Sequence, residues 1–214
     1  MAILDARTRE EVRRRLAGLE GPVTLAVFKH EGDTMAGNTL EDLVLELAQL
    51  TDKLVLKVFD FRADARQARE HGVDRAPALV VEGRGGARTR YFGLPGGYEF
   101  SALLENLQDA SAGRAELSPA ARSKLAALRG PAHIKVFVTP GCPHCPAALR
   151  TAQRIAQEFP QVRADMISAG EFPELAREYG VSSVPKVVVN DSVEFEGAVP
   201  ESAFAQAVVR AAGS

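Results

Sequence analysis

The sequence contains two cysteines, and both lie in one tetrapeptide, Cys142-Pro143-His144-Cys145. The tetrapeptide follows a short apolar run and opens a segment of helical periodicity, which places it at a predicted strand-to-helix turn. Side chains three positions apart on a helix are neighbours, at a separation that a disulfide can bridge. The spacing therefore indicates reversible thiol and disulfide chemistry rather than a structural staple.

The two sulfurs are expected to differ in reactivity. Free backbone N–H groups and the dipole at a helix N-terminus favour a thiolate, so we expect the pKa of the Cys142 thiol to lie below the free value of ~8.5. Pro143 suits the first helical turn because it has no N–H to leave unpaired. His144 adds a donor beside the sulfur and, when protonated, a positive charge. We predict that Cys142 is the nucleophile and Cys145 the resolving thiol.

Other uses of a Cys-x-x-Cys pair fit the sequence less well. A tetrahedral zinc site needs further ligands, but there is no second cysteine pair and the histidines at 30, 71, 133 and 144 lack metal-ligand spacing. Covalent haem attachment requires His after the second Cys, where Pro146 stands. We expect no metal and no cofactor besides the redox-active disulfide. A metal or iron–sulfur carrier that uses the same thiols stays as an alternative.

A proline at the entry to a later β-rich run is a second chemical signal. Val184-Pro185 precedes Lys186-Val187-Val188-Val189. A proline there has no N–H to donate to a neighbouring strand, so its position needs a reason. A cis peptide bond in a turn beside an active site is one such reason. An ordinary trans proline at a strand start is the alternative. The position of Pro185 downstream of the Cys-x-x-Cys pair favours a cis peptide bond.

The chain contains two internal repeats. Leu25-Ala26-Val27-Phe28 opens the first and Ile134-Lys135-Val136-Phe137 opens the second, and Ala76-Pro77 and Val184-Pro185 follow at matching distances. Such a repeat indicates two equivalent folds in tandem. We predict two domains, residues 1–108 and 115–214, because the intervening segment is polar and small.

Within each repeat, short β-branched or aromatic runs alternate with segments of helical period, which is typical of βαβ units. We predict an α/β fold of two units, each a central mixed four-stranded sheet flanked by helices. The predicted strands cover 23–29, 53–60, 78–82 and 89–93, then 133–139, 162–167, 185–190 and 193–197. The predicted helices cover 6–19, 38–50, 63–71 and 97–107, then 118–128, 143–158, 170–179 and 200–211.

Composition narrows the class of protein further. The 214 residues are 46% hydrophobic and 25% charged, enough apolar material for a core. A formal net charge of -2 gives no field that would attract nucleic acid. No run approaches the roughly 18 apolar residues of a membrane span, and the first twenty residues carry five Arg and no apolar leader. We expect a soluble, cytoplasmic protein without membrane or nucleic-acid partners.

Longer stretches resemble a known family. Residues 136–146, 184–186 and 193–201 closely resemble the second unit of the protein disulfide oxidoreductases, two-unit glutaredoxin-like members of the thioredoxin superfamily, and residues 74–77 and 90–96 agree with the first unit. The resemblance implies two thioredoxin-fold units and a cis proline in each, Pro77 and Pro185. It also implies cytoplasmic exchange with protein disulfides, with electrons supplied by a thioredoxin-reductase-like flavoenzyme.

The first unit departs from that family. Aligning Phe28 with Phe137 puts Asp33 and Ala36 where the sulfurs would be, so this unit is expected to be redox-inactive, with Asp33 as a helix N-cap. An inactive unit followed by an active one is also similar to the N-terminal region of the flavoprotein component of alkyl hydroperoxide reductase, which passes electrons to a peroxiredoxin. This second resemblance implies a peroxiredoxin as a partner.

We therefore expect a thiol-disulfide oxidoreductase with a single redox pair, acting mainly as a reductase. Its protein substrate would lie extended against Val184 and Pro185. A docking adaptor for a peroxiredoxin is the alternative from another class of function. No proton acceptor is identifiable, because Val136 stands where thioredoxin has an Asp.

Overall fold

The computed structural model describes residues 3–32 and 35–213. This part of the chain contains eight α-helices, eight strands and one short 3-10 helix at Arg84–Gly86. The helices are α1 (Ala6–Leu16), α2 (Ala36–Ala48), α3 (Ala65–His71), α4 (Glu99–Ala112), α5 (Pro119–Leu125), α6 (Cys145–Glu158), α7 (Pro173–Glu178) and α8 (Glu201–Ala212). The strands are β1 (Val23–Lys29), β2 (Leu54–Asp60), β3 (Ala78–Glu82), β4 (Arg88–Phe92), β5 (Ala132–Val138), β6 (Val162–Ser168), β7 (Lys186–Val189) and β8 (Val193–Glu196).

All eight strands form one continuous sheet, in the order β2-β1-β3-β4-β6-β5-β7-β8. Within each repeat the pairing is the same: one parallel pair, β1 with β2 or β5 with β6, then two antiparallel pairs. The predicted α/β architecture of two mixed four-stranded units flanked by helices is confirmed. The two units share one sheet because strand β4 of the first pairs in parallel with strand β6 of the second.

The pairing of β4 with β6 also aligns a buried ion pair. Arg90 lies opposite Asp165 in the register, and its Nε donates to the carboxylate at 2.8 Å. Arg163 and His133 contact the same carboxylate at 2.9 and 2.6 Å. Burial alone would raise the pKa of Asp165, but the His133 hydrogen bond and the neighbouring guanidinium groups hold it below its ordinary value. The junction therefore carries a charge network that neither unit could complete alone.

The helices cover the sheet on two faces. One continuous apolar cluster lies under α1, α2, α4, α5, α6 and α8, and it crosses from the first repeat into the second. A smaller cluster on the other face includes Ala68 of α3 and Leu175 of α7. Because the larger cluster is shared, burial of its side chains stabilises both repeats together.

Some helix ends differ from the prediction. Helix α7 begins at Pro173 rather than at residue 170, because a proline suits the first helical position. Helix α4 continues to Ala112 and closes at Gly113, whose φ of 71° fits a left-handed cap. The predicted boundary at residue 108 therefore falls inside a helix, and most of the segment taken for a linker is helical. The division into two domains stays a prediction.

Among the described residues, none of the helices combines the length and the apolar character needed to cross a membrane.

Candidate active site

The cysteine pair lies where strand β5 passes into helix α6, as predicted. The turn holds Cys142 ahead of the helix, since its N–H donates to the Thr139 carbonyl at 3.0 Å. The helix starts at Cys145, two residues later than predicted, with His144 at the N-cap position. Helix α6 forms because its apolar residues recur every three or four positions and face the core; these are Ala148, Leu149, Ala152, Ile155 and Ala156.

The two cysteines form a disulfide, with their Cα atoms 5.5 Å apart. Cys142 is 7% exposed, whereas Cys145 is fully buried. The backbone N–H of Cys145 donates to Cys142 Sγ at 3.1 Å. A hydrogen bond of this kind stabilises negative charge on the sulfur once the disulfide is reduced. Cys142 is therefore the more exposed of the two sulfurs.

The predicted cis proline lies against the outer sulfur. The Val184-Pro185 and Ala76-Pro77 peptide bonds are both cis, as predicted. Cys142 Sγ lies 3.6 Å from the Val184 carbonyl oxygen. The Pro185 carbonyl accepts from the N–H of Gly197 at 2.8 Å, which anchors the turn to the end of β8. The structure thus brings Cys142, Cys145, Val184 and Pro185 together.

The two residues between the cysteines point outward. Pro143 and His144 are both exposed, and the His144 side chain makes no capping hydrogen bond to the helix. They contribute to the surface around Cys142 rather than to its buried side.

The first unit places its counterpart residues at an equivalent turn. Ala36 is the first residue of α2, just as Cys145 is the first residue of α6. Met35 holds the N-cap position of α2, and Asp33 lies outside the described residues.

Strands β1 and β5 run in the same direction and are four positions apart in the sheet. At ~4.8 Å per strand, the two turns share one sheet edge but lie about 19 Å apart.

A segment of the first unit nevertheless reaches the cysteine turn. Gly97 has a φ of 61°, and a Cβ atom added there would overlap the Pro140 carbonyl oxygen. Pro140 is two residues before Cys142 in the sequence. The start of helix α4 is therefore packed directly against the loop that carries the nucleophilic position.

Glu99, at the first position of α4, is a residue that the sequence analysis missed. It is 1% exposed, and no donor among the described residues reaches its buried Oε1. Burial raises the pKa of Glu99 to about 7. An acid in the first turn of a helix normally complements the dipole at the surface, so the sequence gives no signal for its burial. Glu99 follows by two residues Gly97, which packs on Pro140.

Side chains that could hold a metal ion are not clustered in the part of the chain that is described. No group of three or more His, Cys, Asp or Glu side chains there is arranged to hold a metal ion. The cysteines are occupied by their mutual disulfide.

Comparison with known proteins agrees with this geometry. The thioredoxin domain family matches residues 132–210. A thioredoxin from Methanocaldococcus jannaschii is 43% identical over 76 residues, which are 35% of this chain and 89% of that protein. A protein disulfide oxidoreductase from Aeropyrum pernix superposes with a TM-score of 0.87 at 30% identity, covering 99% of this chain and 95% of that one.

A longer relative extends the similarity to both units. It is a component of the alkyl hydroperoxide reductase of Pseudomonas putida, and it is 24% identical over 197 residues, which are 91% of this chain. The present chain spans only 35% of that relative's length.

The chain belongs to the thioredoxin family, and both predicted resemblances are confirmed. Its architecture is the tandem arrangement seen in the Aeropyrum pernix protein disulfide oxidoreductase. The Cys-x-x-Cys disulfide at the strand-to-helix turn defines a thioredoxin-like redox protein.

Proposed function

We propose that this protein is a thiol-disulfide oxidoreductase that reduces protein disulfides through the Cys142 and Cys145 pair. One observation carries the proposal: the Cys142–Cys145 disulfide lies at a strand-to-helix turn with its outer sulfur beside the Val184–Pro185 bond. The partial exposure of Cys142 and the burial of Cys145 support different roles for the two sulfurs.

In the reduced protein, the Cys142 thiolate attacks one sulfur of a substrate disulfide. A mixed disulfide forms and the other substrate sulfur leaves as a thiolate. Cys145 then loses its proton and attacks Cys142 Sγ, which releases the second substrate thiolate. Two electrons pass to the substrate, its two thiolates take up protons, and the protein is left with the Cys142–Cys145 disulfide.

The second step needs a group that accepts the proton of Cys145, and Glu99 is the candidate. Its pKa of about 7 lets it exchange a proton near neutral pH. It follows Gly97, which packs on the cysteine turn, by two residues. The redox-inactive unit would thus supply the buried acid that accepts the proton of Cys145.

The substrate would lie extended beside Val184 and Pro185 and form strand-like hydrogen bonds. A thioredoxin-reductase-like flavoenzyme would return electrons to the disulfide, and no further cofactor is required. Similarity to the alkyl hydroperoxide reductase component supports a peroxiredoxin as one partner. We assign the protein to the cytoplasm, where thiols are kept reduced.

An insulin-reduction assay with a dithiol donor tests the activity. Wild type should turn over, and Cys142→Ser and Cys145→Ser should not. Intact mass after alkylation should show two labels per chain after reduction and none after mild oxidation.

The reduction potential tests the direction of electron flow. A value near ~-270 mV supports a reductase, whereas a value near ~-120 mV would indicate an oxidant. Failure to form the disulfide, or a purified protein that carries stoichiometric metal, would overturn the proposal.

Glu99→Gln tests the proton acceptor separately. The rate at which the mixed disulfide resolves should rise with pH through about 7 in wild type, following ionisation of Glu99. In the variant that rise near pH 7 should disappear. A variant with an unchanged pH profile would exclude Glu99 from this role.

A further inference from the structure

The segment from Gly93 to Tyr98 belongs to the first unit but lies on the second. The N–H of Leu94 donates to Glu171 Oε1 at 2.8 Å, and Glu171 follows strand β6 of the second unit. At the other end, Gly97 packs on the Pro140 carbonyl. Both ends of the segment are therefore fixed relative to the cysteine turn.

This segment carries an exposed aromatic residue next to its contact with the cysteine turn. Tyr98 is 53% exposed and is the one aromatic residue among the large exposed hydrophobic side chains of the described chain. It comes directly after Gly97, whose neighbour Pro140 is itself exposed. Tyrosines in such positions supply large contact area with little loss of side-chain freedom.

The surface around Cys142 carries no Lys or Arg. Residues 93–98, 140–144 and 182–185 contain no Lys, Arg, Asp or Glu, and His144 is their one basic side chain. Two exposed carboxylates border these residues: Glu171 accepts from the Leu94 N–H, and Glu196 accepts from the hydroxyls of Ser182 and Ser183. A negatively charged group brought to this surface would lose water and would meet these carboxylates rather than a Lys or Arg.

We propose that Tyr98 is a specificity-determining residue that contacts the substrate segment flanking the disulfide, and that Glu171 is the residue that positions it. The substrate class is then an extended protein segment without acidic side chains. A disulfide bearing several carboxylates, such as oxidised glutathione, would be a poor substrate. This inference rests on the proposed function and gives the redox-inactive unit a part in substrate recognition.

Two disulfide peptides of equal length test it, one flanked by Val and Tyr and the other by Asp. Wild type should prefer the uncharged peptide. Tyr98→Ala should lower kcat/KM for that peptide about 10-fold, mainly through KM, which corresponds to about 1.4 kcal/mol. Tyr98→Phe should keep most of the activity, and the preference for the uncharged peptide should shrink in Tyr98→Ala but not in Tyr98→Phe.

Glu171 is tested by a matched pair of variants. Glu171→Ala removes the acceptor of the Leu94 N–H and should lower kcat/KM for the uncharged peptide, whereas Glu171→Gln keeps an acceptor oxygen and should retain it. Leu45→Ala, at a 42% exposed position on α2, controls for loss of exposed apolar surface.

The outcomes separate the two proposals. If wild type reduces the peptides but Tyr98→Ala stays within twofold of it on the uncharged one, the inference about Tyr98 is wrong and the proposed function stands. If wild type reduces neither peptide and forms no Cys142–Cys145 disulfide, the proposed function itself fails. Equal rates for the two peptides in wild type would overturn the assignment of a substrate class without acidic side chains.

Discussion

Substitution of Glu99 by Gln should change how the stability of the protein depends on pH. Glu99 is buried and one of its oxygens lacks a partner in the described structure. Burial disfavours the ionised carboxylate, so the folded protein retains the proton to a higher pH than the unfolded chain. Gln has nearly the same shape but does not titrate.

The sign and size follow from the two pKa values. The pKa rises from an ordinary 4.5 to about 7 on folding. Below pH 4.5 both states are protonated and Glu99 costs no stability. Between 4.5 and about 7 the unfolded chain releases the proton first, so the free energy of unfolding falls as pH rises. At about 1.36 kcal/mol per pH unit, the full loss is up to about 3 kcal/mol and is complete above about pH 7.

Urea unfolding of the oxidised protein at pH 5, 6, 7 and 8 measures this effect. The free energy of unfolding of Glu99→Gln minus that of wild type should increase across the series by about 2 to 3 kcal/mol. Taking the difference removes the contribution of other titrating groups. Glu174→Gln, at a side chain 92% exposed, is the control and should give no trend. A difference for Glu99→Gln that stays flat with pH would refute the argument that burial sets the pKa of Glu99.

Four further variants test the site and the junction between the units. Cys145→Ser should accumulate mixed disulfides with protein substrates, visible on non-reducing gels, because attack persists without resolution, whereas Cys142→Ser should trap none. Asp165→Asn should lower the free energy of unfolding at pH 7 by about 3 kcal/mol, because Arg90 is left buried without its counter-charge. In wild type the ionised Asp165 carboxylate contributes this stability above pH 3.8, the ordinary pKa of Asp. The contribution is lost as the pH falls further and the carboxylate is protonated. Gly97→Ala should cost about 2 kcal/mol in urea unfolding, because it combines a positive φ with a steric overlap.

Each of these predictions has a contrary result. Trapping by Cys142→Ser equal to that by Cys145→Ser would make the buried sulfur the attacking one. An Asp165→Asn protein with wild-type stability would mean that the ion pair at the junction is not needed to compensate buried charge. Wild-type stability of Gly97→Ala would mean that the start of α4 can move away from the cysteine turn.

Local patterns in the sequence predicted most of the fold. Hydrophobic periodicity located each helix and strand because it depends on which face of an element is buried. The repeat of Phe28 and Phe137, each followed by a cis proline, indicated two equivalent units. The spacing of Cys142 and Cys145 indicated the disulfide because three residues at a helix start bring two sulfurs within bonding distance.

The tertiary structure decided how the two units are joined. The pairing of β4 with β6 unites the strands in one sheet, and it places Arg90 opposite Asp165, 75 residues away in sequence. Each residue taken alone is an ordinary surface charge in a strand pattern. Its burial depends on an edge-to-edge contact that no local periodicity encodes.

Only the tertiary structure shows that Glu99 is buried. The sequence offered no acceptor because Val136 occupies the corresponding position in the second unit. Glu99 comes from the first unit, two residues after Gly97, which packs on Pro140. The residue type sets the intrinsic acidity of this side chain, but burial raises its pKa, and that burial exists only in the folded chain.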